Sequence, residues 1–183
     1  GGEQTADIAA HVGIVVGEQH PAAGAQGAPR HERAVLYLHG RNDYFFQTHL
    51  ADAFLQAGYE FYALDLRRYG RSWREGQMLG WCTSLAEYDE DLGLALSAIR
   101  TEQGWETELV LSGHSTGGLV ASLWADRHPG ALRALVLNSA WLEMQSLASL
   151  RSAMQPFIGQ IAQRSPMWEV PTGGSDFYGR SLA

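Results

Sequence analysis

The stretch LVLSGHSTGGLVASLW, residues 109–124, constrains this chain more than any other. An apolar run stops at a glycine turn, and an apolar helical pattern begins immediately after it. Ser115 stands at the tip of the turn, flanked by Gly113 and Gly117. Three glycine turns fit a strand–turn–helix order. A phosphate-cradling loop needs a Lys–Ser/Thr pair after its second glycine, where Gly118–Leu119 stands. A dinucleotide turn needs G-x-G-x-x-G after the first strand, and this turn comes late with the wrong spacing. The third is G-x-S-x-G, a strained turn that lifts a serine hydroxyl off the carboxyl edge of a sheet.

The rest of the chain supplies a sheet for that turn. Residues 12–17, VGIVVG, read as a short strand, followed by a loop rich in proline and glycine. AVLYLHG, from Ala34 to Gly40, reads as a second strand. QTHLADAFLQAG puts Leu50, Phe54 and Leu55 on one helical face, with Gly58 as the stop. YEFYALDLR is a further strand, ending in the polar turn RRYGRS. In SLAEYDEDLGLALSAIRTEQG, Ser84 and Glu87 form a capping box, and Leu85, Tyr88, Leu92, Leu96 and Ile99 share a face. The strand of residues 108–112, a helix to about His128, and RALVLNSAW, read as a buried strand, complete the series. Continuous apolar strands alternating with helices predict an α/β fold with a mostly parallel, doubly wound sheet.

Around Ser115 the residue types suit nucleophilic chemistry. A side chain at Gly113 or Gly117 would strike the neighbouring strand or helix. The helix that follows aims its amino end, with free N–H groups and a positive dipole, at the hydroxyl. His39–Gly40 opens the loop expected to face Ser115, and Gly40 lets the backbone turn so that the N–H of Arg41 points inward. With the N–H of Thr116 this makes an oxyanion hole, each donor worth about 3–4 kcal/mol in a transition state. His114 is expected to pack beside the site, His39 to be structural, and Asp65 to brace the RRYGRS turn. Asp43 and Tyr44 are candidates for the mouth of the site, and Arg67, Arg68 and Arg71 for a solvated, partly paired loop.

Composition removes other classes. A net charge of -7 argues against a nucleic-acid partner. Cys82 is the single cysteine, so no intrachain disulfide and no thiolate metal cluster can form, and it reads as a small buried hydrophobe. The seven histidines lack paired spacing beside carboxylates, so no metal site and no cofactor are expected. Without a run of about 18 apolar residues, stable membrane insertion is not expected. The first residues lack the basic-then-apolar order of a secretory signal, which leaves a cytoplasmic location as the default, a cleaved signal leaving no trace.

Taken together, LYLHGRNDYF, YALDLRRYGRS, GHSTGG and LVLNSAW resemble the α/β-hydrolase superfamily, and within it the serine aminopeptidase and monoacylglycerol-lipase-like (lysophospholipase-like) branch. The resemblance covers about residues 30–142. It implies Ser115 as nucleophile and the N–H groups of Arg41 and Thr116 as oxyanion donors, and is much less specific for substrate; Leu147, Leu150, Met154, Phe157, Ile158 and Trp168 suggest a small-molecule ester with an apolar acyl group, such as a lipid, or equally the packing of that segment on the body. It divides the chain into residues 1–142, the amino-terminal part of the core, and residues 143–183, the start of a helical lid. In that lid Leu147, Leu150, Met154, Ile158 and Ile161 fall at helical spacing, interrupted by Pro156.

The triad is incomplete. In this family the acid and the histidine follow the serine, and downstream stand only Asp126, Asp176 and His128. His128 lies roughly 18–20 Å along the helix from Ser115, out of reach of the hydroxyl, and is expected to cap the helix end. The base is therefore expected beyond Ala183, in a remaining carboxyl-terminal part that would be this chain's partner. The function expected is a serine esterase working through an acyl-enzyme. The alternatives are a non-catalytic ligand-binding module on the same scaffold and an inactive fragment.

Overall fold

The computed structural model describes residues 13–16, 32–142 and eight residues between 157 and 167, the side chains of 13–16 excepted. The chain divides into two compact units, Gly1–Leu142 and Glu143–Ala183.

The first unit is a five-stranded sheet. β1 is Gly13–Val16, β2 Arg33–Leu38, β3 Glu60–Asp65, β4 Glu108–His114 and β5 Ala134–Asn138. Helix α1 is Thr48–Gln56, α2 Tyr88–Gln103 and α3 Thr116–Arg127. The strand order is β1-β3-β2-β4-β5, with β1 antiparallel to β3 and the other neighbours parallel. β2 pairs with β4 from Arg33↔Glu108 to Leu38↔Gly113, so the ends of both strands come out level at one edge. This is an α/β fold with a mostly parallel, doubly wound sheet.

The two-residue strand period sorts the core into two layers. Ala34, Leu36, Leu38, Tyr62, Leu64, Leu109 and Leu111 face one side, where they pack with Leu92, Leu96 and Ile99 of α2 and Val120, Ala121 and Trp124 of α3. Val35, Tyr37, Phe61, Ala63 and Val110 face the other side, with Ala51, Leu50, Phe54 and Leu55 of α1. The central strands are buried on both faces, which is why they carry no polar alternation. Cys82 is half-buried against the first layer, consistent with a packing role.

Three expectations need adjustment. β5 is not buried: Val136 is 43% and Leu137 41% exposed. Among the described residues it is an edge strand with β4 as its one neighbour. The capping box is split between two residues. Ser84 Oγ accepts the N–H of Ala86 (3.2 Å), but Glu87 Oε1 accepts the N–H (2.8 Å) and the hydroxyl (2.5 Å) of Thr83 instead of returning to Ser84. A short 3₁₀ turn, Leu85–Glu87, precedes α2 and displaces the box by a residue.

The arginine turn is less solvated than its composition suggests. The guanidinium of Arg67 donates to Asp91 Oδ1 (2.7 Å) and Glu90 Oε2 (2.6 Å), and that of Arg68 to Glu87 Oε2 (3.1 Å) and to Trp81 O. Arg71 Nη1 donates to Asp65 Oδ2 (3.0 Å).

In the second unit, residues 157, 159–161, 163 and 164 are helical, and Phe157 is 67% exposed. The expectations for Leu147, Leu150, Met154, Pro156 and Ile158 concern residues outside the described ones. Among the described residues no helix is long and apolar enough to cross a membrane.

Candidate active site

β4 ends at His114, α3 begins at Thr116, and the whole change of direction falls on Ser115. Its φ of 52° and ψ of -119° lie in a region that non-glycine residues enter only under constraint. The constraint comes from the adjoining strand. Ser115 N–H donates to Asn138 O (3.1 Å), and Ser115 O accepts from Trp141 N–H (2.9 Å), Gly118 N–H (3.0 Å) and Leu119 N–H (3.3 Å). Both peptide groups of the strained residue are thus held, one from β5 and its extension and one from α3 as well.

Such a turn needs room that only glycine leaves. A Cβ on Gly113 would lie 2.7 Å from Gly117 O and from Gly118 Cα. One on Gly117 would lie 2.7 Å from Leu38 O and collide with His39 O, and one on Gly118 would lie 2.6 Å from Ala140 Cβ. These contacts bring the end of β2 and the segment after β5 against the turn from either side.

The loop after β2 crosses the serine. A Cβ on buried Gly40 would stand 3.2 Å from Ser115 Cβ and 3.3 Å from His114 Cδ2. Arg41 follows Gly40 and Thr116 follows Ser115. Among the described residues neither amide N–H has an acceptor. Asn42, next in the loop, has φ 53°. Ser115, His114 and Thr116 are half-buried and Arg41 is exposed. His114 Nδ1 and Thr116 Oγ1, on either side of Ser115, are buried without a partner among the described residues.

His39 is structural. It is buried, with Nε2 accepting the N–H of Leu66 (3.2 Å) and Nδ1 facing Gly40 O (2.7 Å). Because Leu66 donates to Nε2, the proton belongs on Nδ1, which donates to Gly40 O. The ring fixes the loop that crosses Ser115. Burial pushes its pKa below the ordinary histidine value, opposed by the bond to Gly40 and by Asp65 and Asp43.

Asp65 is fully buried and braces the turn after β3. Its Oδ2 accepts Arg71 N–H (2.9 Å) and the Arg71 guanidinium (3.0 Å), and its backbone oxygen accepts the Ser72 hydroxyl (2.6 Å). Tyr44 accepts the Arg71 guanidinium on its ring face at 5.3 Å, and its N–H donates to Asp43 (2.8 Å). His128 stacks on Trp124 at 4.2 Å, with Nδ1 donating to Trp124 O (2.9 Å), so it closes the end of α3 away from the serine. Asp176 lies outside the described residues. Among the described residues no side chain makes a hydrogen bond to Ser115 Oγ.

Sequence reasoning missed one part of this site: the segment Asn138–Trp141, which clamps the serine peptide. Its signal was present in LVLNSAW, a strand followed by the small Ala140 that must sit against Gly118.

A family model described as serine aminopeptidase S33 matches residues 29–179. Lysophospholipase L2 of Escherichia coli strain K12 is 30% identical over 115 residues, covering 61% of this chain and 34% of its own. Monoacylglycerol lipase of Mycolicibacterium smegmatis is 29% identical over 135 residues, covering 73% of this chain and 47% of its own. The chain therefore spans less than half the length of these curated relatives. The crystal structure of a thermostable carboxyl esterase from Bacillus coagulans superposes with a TM-score of 0.61 at 18% identity, over 93% of this chain and 50% of that one, which shows the fold. From motif, fold and family match together, the chain belongs to the serine aminopeptidase S33 family of α/β-hydrolases.

Proposed function

We propose that this chain carries the nucleophile and oxyanion half of a lipase- or esterase-type serine hydrolase acting on carboxylic esters with an apolar acyl chain. Ser115 Oγ attacks the carbonyl carbon and passes its proton to a base. The N–H groups of Arg41 and Thr116 receive the charge that develops on the carbonyl oxygen. The alcohol leaves with a proton, and water then cleaves the acyl-enzyme to release the acid and restore the serine. The base and its orienting carboxylate come from outside the described residues, and residues 143–183 serve as part of a cap. The observation carrying this reading is the strained backbone of Ser115, pinned between β4 and α3 with Gly40 against its side chain. The lysophospholipase and monoacylglycerol lipase relatives support the choice of a lipid ester.

A second reading is a ligand-binding module that uses the same turn without chemistry. The lack of a hydrogen-bonded base on Ser115 Oγ among the described residues favours it. One experiment separates the two. A fluorophosphonate should label the full-length protein at Ser115, and Ser115→Ala should lower ester hydrolysis by about 10⁴-fold or more while the protein stays folded. An unlabelled, inactive full-length protein that binds ester ligands would establish the module instead.

A further inference from the structure

Gly40 C=O and Arg41 N–H belong to one peptide group, so they are rigidly coplanar and point in opposite directions. Whatever holds the oxygen therefore aims the N–H. His39 Nδ1 donates to that oxygen (2.7 Å), and Nε2 accepts Leu66 N–H (3.2 Å). Both bonds lie near the imidazole plane, so neither resists a tilt of the ring about the line joining them, and the outer torsion of histidine is itself soft. Resistance has to come from a group packed on the ring. Tyr69 is such a group: its ring lies against the imidazole, centroids 5.0 Å apart and planes at 60°.

Tyr69 is in turn held from several sides. It is buried, its N–H donates to Leu66 O (3.0 Å), and its hydroxyl is hydrogen-bonded with that of Tyr88 at the start of α2. Gly80 closes over it. That residue has φ 62°, its N–H donates to Arg68 O (2.9 Å), and a Cβ on it would lie 2.6 Å from both Cζ and Oη of Tyr69. The chain thus passes so close to the phenol that only glycine fits. From Gly80 through Tyr69 and His39 to Gly40, the contacts run unbroken to the serine, since a Cβ on Gly40 would stand 3.2 Å from Ser115 Cβ.

We propose that Tyr69 is a positioning residue for the reaction, which acts through His39 to aim the Arg41 N–H at the oxyanion. The proposal rests on the reading of Ser115 as nucleophile and of Arg41 N–H as oxyanion donor. The test uses the full-length protein, with kcat/KM for p-nitrophenyl butyrate and the inhibition constant of an alkyl trifluoromethyl ketone as readouts. In the ketone adduct Ser115 Oγ bonds to the carbonyl carbon and its proton passes to the base. The charge comes to rest on the ketone oxygen, where Arg41 N–H meets it.

Tyr69→Leu should lower kcat/KM roughly tenfold to 100-fold and weaken the ketone by a similar factor, as a misaimed donor does. Tyr69→Phe keeps the ring and should bring both readouts back near the wild-type values. An inhibition constant does not depend on the fraction of folded molecules, so a merely structural defect leaves it unmoved. Ile99→Ala, which loosens the same core layer near the end of α2 remote from the serine edge, should leave it as in the wild type. In a His39→Gln background, Tyr69→Leu should weaken the ketone no further, because the ring it acts through is gone. Gly80→Ala, which presses a methyl onto the phenol, should weaken the ketone too and serves if Tyr69→Leu does not fold. An unchanged constant in Tyr69→Leu or Gly80→Ala, an equal loss in Ile99→Ala, or a full further loss in the His39→Gln background would overturn the proposal. A wild-type protein that reacts with neither compound would overturn the serine-hydrolase reading instead, a separate outcome.

Discussion

A methyl group on Gly117 would press on the carbonyl oxygens of Leu38 and His39, backbone atoms of β2 and its loop that cannot rotate aside. The same methyl on Gly93, in the exposed middle of α2, would meet nothing within 4 Å. Alanine gains about 1 kcal/mol over glycine inside a helix, and overpacking costs about 3 kcal/mol or more where the neighbours are rigid. The two substitutions should therefore have opposite signs. Gly93→Ala is expected to raise unfolding free energy by about 0.5–1 kcal/mol, and Gly117→Ala to lower it by about 2 kcal/mol or more. Urea denaturation checks both, and a Gly117→Ala variant as stable as the wild type would mean that the turn has slack where the strained φ of Ser115 requires none.

At the scale of elements, the first turn of α2 works as a clasp. Asp89, Glu90 and Asp91 sit where the helix dipole favours acidic residues, and all three reach out to other elements. Asp91 is fully buried and accepts the N–H (2.8 Å) and guanidinium (2.7 Å) of Arg67, tying the turn after β3 to α2. Asp89 holds Arg127 at the end of α3 through a pair that solvent reaches from both sides. Burial decides their weights. Asp91→Ala leaves a backbone N–H and a half-buried guanidinium without their main partner, at a cost of about 3 kcal/mol. Asp89→Ala should cost less than about 1 kcal/mol. Denaturant midpoints of the two variants, measured side by side, test this ranking.

Across the whole molecule, acid should loosen the fold in two stages. His39 is built in as the neutral imidazole, since Nε2 accepts from Leu66, and burial lowers its pKa. Its contribution is complete above the unfolded value near 6.5 and is lost as pH falls below it, because the unfolded chain then binds the extra proton. Glu87 is pulled down to about 2, first by the Thr83 hydroxyl, then by the Thr83 N–H, with burial opposing and Arg68 assisting. Its contribution is complete above about 4.5 and is lost between there and about 2. The Glu87 step should be on the order of 1 kcal/mol, the carboxylate being partly screened by solvent. Thermal melts from pH 8 to 2 should show both, with the first removed by His39→Gln and the second by Glu87→Gln.

The linear sequence determined the strands, the helices and the serine turn, because those depend on periodicity and on glycine at fixed offsets. It also marked His39, Gly40 and Asp65 as supports, since each ends a strand at the same edge. It read β5 as buried, whereas among the described residues that strand is an exposed edge, because an apolar strand reads alike whether it has one neighbour or two. It could not distinguish the paired arginines from solvated ones, as Arg67 and Asp91 meet across 24 residues that only folding brings together. The clamp of Asn138 and Trp141 on Ser115 was likewise decided by tertiary structure: LVLNSAW offers the small Ala140 that sits against Gly118, but the clamp's hydrogen bonds join backbone atoms, which no side-chain pattern encodes.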